Sequence, residues 1–173
     1  MKRNVLPLSL LGIGALCLPF TWFYTGNPVC AWIAITALLT AVTLAPSWKY
    51  LSAIWLLQTA AVFIRLYGAL PLPVISAEAV LYGILLTLPF AVHLTSDGRV
   101  PYGIRVLVFP VTLYCIESVL AVSPLASFGA LGYSQRHNHA LLQSASLFCV
   151  SGISFVIAVT ASALSGLVRP SRT

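Results

Sequence analysis

The sequence predicts an all-α membrane protein, a polytopic transmembrane helical bundle of about six spans with an interfacial or re-entrant segment between spans five and six. Three observations carry this prediction. Only 7% of the 173 residues are charged, against roughly 25% in a soluble domain. Hydrophobic residues make up 60% of the chain, and its mean hydropathy is +0.99. Apolar runs of membrane-spanning length recur from end to end. Three acids cannot clothe a water-facing surface of this size. The same numbers exclude a disordered chain.

The first span is placed at 5–24, after Lys2 and Arg3. It reads as an anchor and not as a cleaved signal, because no small-residue cleavage site precedes Phe20, Trp22, Phe23 and Tyr24. Leu16 is too large for lipoprotein processing at Cys17. Gly26, Asn27 and Pro28 make a tight turn into the second span, 29–45. That span ends at Pro46, Trp48, Lys49 and Tyr50, an aromatic and cationic interface signature. The third span is 51–70, with Arg65 free to snorkel to an interface and Pro71 and Pro73 closing it. The fourth is 77–95, with Glu78 at its start, where a charge is cheap. A polar loop, 96–105, leads to the fifth span, 106–122, which contains Pro110 and Glu117. Pro110 predicts a bend or local opening of that helix. The sixth span is 144–168, with Arg169, Pro170 and Arg172 after it. All six belong to one transmembrane domain, 1–173.

The basic excess then becomes an orientation. With the amino terminus in the cytoplasm, Lys2, Arg3, Lys49, Arg99, Arg105, Arg169 and Arg172 all fall inside, seven of the nine Lys and Arg residues. Only Arg65 and Arg136 fall outside, the bias that positive-inside sorting produces. Both termini are thus expected in the cytoplasm of a multi-pass protein. No Lys/Arg cluster suits nucleic acid, so no nucleic-acid partner is expected.

Cys17, Cys30, Cys115 and Cys149 fall in or beside spans and read as four buried apolar thiols. His137 and His139 flank Asn138 at a polar loop tip, too few ligands for a metal. No metal or cofactor is expected, and membrane lipids are the expected surroundings.

Glu117 is the most informative residue. It lies eleven positions into a span of seventeen, which at about 1.5 Å per residue is near mid-membrane. A charge there costs at least ~2.5 kcal/mol. Two readings stand: a carboxyl that clamps helices together, or part of a site or ion path. The segment 123–143 is too apolar for a free loop and is broken by Pro124, Gly129 and Gly132. It is expected to dip into the membrane or lie along its outer face. Tyr133, Ser134 and Gln135 would then put hydroxyls and an amide at the outer interface, packed there or lining a lipid-facing cavity. In the sixth span, Ser154, Ala158, Ser162 and Gly166 form a small-residue stripe for helix packing.

The last third of the chain carries a resemblance. Phe109-Pro110 is followed by Glu117, then Gly132-Tyr133-Ser134-Gln135, then the run Leu141 to Leu147, then Gly152-Ile153-Ser154-Phe155. This resembles the membrane domain of apolipoprotein N-acyltransferase and related membrane-bound nitrilase-type proteins. The resemblance spans about sixty residues, 109–168. It departs from the family at Ser118-Val119-Leu120, where Leu-Arg is usual, and at Leu113, where an aromatic is common.

The resemblance implies an eight-helix membrane domain with a nitrilase-like domain between its last two helices. It implies acyl transfer from phospholipid to the amino-terminal cysteine of a lipoprotein, on a Cys assisted by Glu and Lys in the nitrilase domain. Five residues follow Val168, so that domain is expected to be absent and no catalytic residue is assigned. The expected function is therefore an acyltransferase-like membrane module in lipoprotein biosynthesis, truncated or split and not catalytic alone. Its implied place is a bacterial inner membrane, its partner a separately encoded nitrilase-like domain. The alternatives are a small transporter or channel using Glu117, and a structural subunit, such as one of a plasmid conjugal-transfer system, binding a partner membrane helix.

Overall fold

The computed structural model describes residues 5–22, 26–123 and 129–168, the side chains of Tyr102 and Ser144 excepted. Lys2, Arg3, Phe23, Tyr24, Pro124, Arg169, Pro170 and Arg172 lie outside the described residues. Among the described residues every regular element is helical. Helix α1 (Val5–Cys17) runs on into a 3-10 turn at Leu18–Thr21. Then come α2 (Pro28–Leu44), α3 (Trp48–Leu66), α4 (Leu72–Thr95) and α5 (Tyr102–Ala121). A second 3-10 turn, Leu131–Gln135, precedes α6 (His139–Leu167).

Local chemistry sets the helix starts. Asn27 accepts the Val29 N–H at 3.0 Å, with Pro28 opening α2. Ser47 accepts the Lys49 N–H at 3.3 Å, and Asn138 accepts the Leu141 N–H at 3.3 Å. Asn138, expected as a loop tip, is thus the cap of α6, which begins five residues before the expected 144. Pro73 lies in the first turn of α4, where its missing N–H costs nothing. The two prolines after Arg65 therefore start α4 early instead of extending span three to residue 70. Gly68 (φ +85°) and Gly98 (φ +77°) supply left-handed residues in the α3–α4 and α4–α5 connections.

Short connections make successive helices antiparallel. Helix α2 is central: it packs on α1, α6, α3 and α4 and on both 3-10 turns. Ala31, Ala34, Ile35, Leu38, Ala41 and Val42 are all buried at helical spacing along it. The alanines let neighbours approach closely. Helix α6 packs on α5, α2 and the second 3-10 turn. In its small-residue stripe, Ser154, Ala158 and Ser162 are buried and Gly166 is half-buried.

Three helical stretches are long and apolar enough to cross a membrane: Leu72–Thr95, Gly103–Ala121 and Ala145–Leu167. Val5–Thr21 and Pro28–Leu44 are shorter apolar helices. Leu16, Leu56, Leu147 and Leu167 are among the large apolar side chains on the outside. Such a surface is compatible with lipid contact and not with water.

Two expectations are corrected here. The thiols are not all buried: Cys17 and Cys30 are half-buried, and Cys115 and Cys149 are exposed on the apolar surface. Helix α5 also runs unbroken through Pro110. The break is in α6 instead, at Cys149, whose φ of 58° and ψ of −179° are non-helical.

Candidate functional site: a carboxylate-anchored turn

Two buried polar layers lie at opposite ends of the bundle. The first gathers the carboxyl ends of α1, α3 and α5, the amino end of α2, the part of α6 just past Cys149, and the turn Leu131–Gln135. Its centre is Glu117, 2% exposed. Glu117 Oε1 accepts the backbone N–H of Leu131 at 2.9 Å. The next N–H, of Gly132, donates to Ser154 Oγ on α6 at 2.8 Å. Ser154 also neighbours the Glu117 carboxyl, so its own hydroxyl proton is available to that group. Ser134 Oγ donates to Leu131 O at 2.8 Å. Gln135 Nε2 donates to Ser134 Oγ and to Pro28 O, each at 3.0 Å.

Every residue of the Gly132-Tyr133-Ser134-Gln135 stretch can now be placed. Gly132 permits contact, because a Cβ on it would sit 2.3 Å from Val150 O. Ser134 and Gln135 are fully buried, and Tyr133 is half-buried. Ser134 and Gln135 thus pack inside the bundle and do not present their polar atoms at its surface. The Leu131 and Gly132 N–H groups at the start of the turn donate to α5 and α6, and the Gln135 amide donates to α2 (a buried N–H left unpaired would be costly).

Arg65 is the residue that sequence reasoning misplaced. It does not snorkel outward. Its guanidinium turns inward, donates to Leu18 O and Thr21 Oγ1, and lies 5.5 Å from the Trp22 ring centroid. It thereby caps the carboxyl end of α1, where backbone carbonyls lack helical partners and the helix dipole favours a cation. Arg65 and Glu117 line one cavity of about 30 Å³ with Thr21, Gln58, Phe90 and Phe109. Gln58, only 3% exposed, drew no attention in the sequence. A lone amide inside an apolar run was the available signal.

The second layer lies at the other end. Arg105 Nη1 and Asp97 Oδ1 form an ion pair of 2.9 Å, with side chains 6% and 12% exposed. Both fall in the stretch expected as a polar loop, 96–105. Arg105 instead occupies the first turn of α5 and points inward, beside buried His93, Ser162 and Ser165.

Residues 6–163 match the apolipoprotein N-acyltransferase N-terminal domain. The chain belongs to that family. No curated protein and no solved structure matches it. As an apolipoprotein N-acyltransferase N-terminal domain it is a membrane module, and its apolar helices agree with that. The match also reaches back through α1 to α4, where the sequence offered only compatible topology.

Within this N-acyltransferase-family module two of the three carboxylates are committed to structure. Asp97 is paired with Arg105, and Glu117 holds Leu131. Glu78 is half-buried one turn from Tyr82. Among the described residues no three His, Cys, Asp or Glu side chains gather as metal ligands.

Proposed function

We propose that this chain is the membrane-embedded part of an apolipoprotein N-acyltransferase-type protein in the bacterial cytoplasmic (inner) membrane. It crosses about six times, with both termini in the cytoplasm. The bias of Lys49, Arg99 and Arg105 toward the Asp97–Arg105 end supports that orientation. The Glu117 layer then faces the periplasm. Its task is to hold the turn Leu131–Gln135 at a fixed position there, beneath a nitrilase-like catalytic domain encoded apart from these residues. Glu117, Ser134 and Gln135 are positioning residues, and Tyr133, half-buried, is the residue offered to lipid. Acyl transfer is assigned to that nitrilase-like domain, and not to Cys17, Cys30, Cys115 or Cys149 of this chain.

The Glu117–Leu131 bond carries this reading, within a chain matched over residues 6–163. The transporter reading draws no support from a cavity of about 30 Å³ beside Glu117. The test is co-expression with a nitrilase-like domain of the same family. Phospholipid-dependent acylation of a lipoprotein amino terminus is expected in membranes holding both, and in neither alone. Acyl transfer by the purified chain alone, or no association and no activity together, would overturn the proposal.

A further inference from the structure

We propose that the cavity between Arg65 and Glu117 is a built water site, holding one or two water molecules that join the two side chains into one polar network. Three observations point there. The cavity measures about 30 Å³, and a water needs roughly 10–15 Å³ of such space. Its lining is largely apolar, Phe90 and Phe109 included, and Glu117, Arg65, Gln58 and Thr21 are the polar side chains set into it. Among the described residues, one atom of each charged side chain makes no hydrogen bond, Glu117 Oε2 and Arg65 Nε, while the rest of each side chain is held.

An apolar cavity of this size stays dry, whereas one lined by a carboxylate, a guanidinium and an amide does not. Water has both the donor that Oε2 lacks and the acceptor that Nε lacks, and it bridges opposite charges without moving either side chain. Each end of the bridge is already fixed. Arg65 holds Leu18 O and Thr21, and Glu117 holds Leu131. Water between them ties the end of α1 to the turn Leu131–Gln135 across α3 and α5. The α1 carboxyl end and that turn, far apart in sequence, then move as a unit.

The purified full chain in lipid nanodiscs provides the test. Infrared difference spectra between H2¹⁶O and H2¹⁸O should show an isotope-shifted O–H band from bound water. Gln58→Leu, close in volume and apolar, should weaken that band with a small loss of Tm. Glu117→Gln and Arg65→Met should each lower Tm, and the double variant should lose clearly less than their sum. If either single variant fails to fold, the band in Gln58→Leu decides alone. An unchanged band in Gln58→Leu, or additive Tm losses, overturns the proposal.

Discussion

Glu117 Oε1 holds the Leu131 N–H at 2.9 Å, fourteen residues along the chain and inside the bundle. The one costly carboxyl in the sequence is thus an anchor for the first N–H of a 3-10 turn, which has no acceptor within the turn. Glu117→Ala should strand the Leu131 N–H and cost about 1–3 kcal/mol, beyond any loss from the cavity it opens. Glu117→Gln keeps an acceptor oxygen and should cost distinctly less. Unfolding of both variants in matched detergent micelles checks this order. Equal losses would mean that side-chain volume, and not the hydrogen bond, is what Glu117 provides.

Gly132 makes a second, steric prediction. Its missing side chain leaves room for Val150 O, which a Cβ would meet at 2.3 Å. The obstacle is backbone on α6 and cannot swing away. Gly132→Ala should therefore destabilise by about 1–3 kcal/mol, the range for overpacking. Gly103 in α5 is the control, since nothing lies within 4 Å of a Cβ there. Gly103→Ala should be neutral or stabilise by up to about 1 kcal/mol through helix propensity. Comparing the two melting temperatures separates a close approach from a general preference for alanine.

The buried pair at the opposite end predicts strong non-additivity. Asp97→Ala leaves the Arg105 guanidinium, 5% exposed, without its counter-ion. Breaking such a pair costs about 3–5 kcal/mol. Arg105→Met alone should cost less, because Asp97 at the chain turn reaches water more easily than an arginine inside α5. The double variant should recover part of the Asp97→Ala loss. A double-mutant cycle on unfolding free energy measures the coupling, and strict additivity would show that the two side chains do not depend on each other.

What was legible in the sequence follows from what each residue reveals alone. Apolar runs and their punctuation gave the all-helical class, because lipid admits helices and little else. Glu117 was legible because a carboxyl deep in an apolar run is expensive wherever it points. Its partner was not, because the Leu131 N–H looks like every other amide in a sequence. Arg65 was misread for a related reason. A cation near the end of a span can go outward to the interface or inward to a helix end, and the choice depends on Leu18 and Thr21, more than forty residues away. Ser154 was noted for its size alone, although its hydroxyl accepts from Gly132. Asp97 and Arg105 read as part of a polar loop, 96–105, yet α4 and α5 bring them together under cover.

The break in α6 supplies the last prediction. Cys149 has φ 58° and ψ −179°, a backbone region that glycine enters freely and other residues do not. The break sits one residue before Val150, whose carbonyl faces Gly132, and five before Ser154, which accepts from Gly132. The surroundings therefore impose the strain: an unbroken α6 would carry Val150 and Ser154 away from the turn that they grip. The Cys149 side chain is exposed, so removing its thiol sacrifices little packing. Cys149→Gly should accordingly stabilise the protein by about 1–3 kcal/mol, the usual cost of a non-glycine residue in such a region. Cys149→Ala keeps the Cβ and should leave stability near that of the parent. The measurement is the unfolding midpoint of the three proteins side by side. A glycine variant less stable than the alanine variant would show that α6 is helical at this position, and the gripping role of Val150 and Ser154 would fall with it.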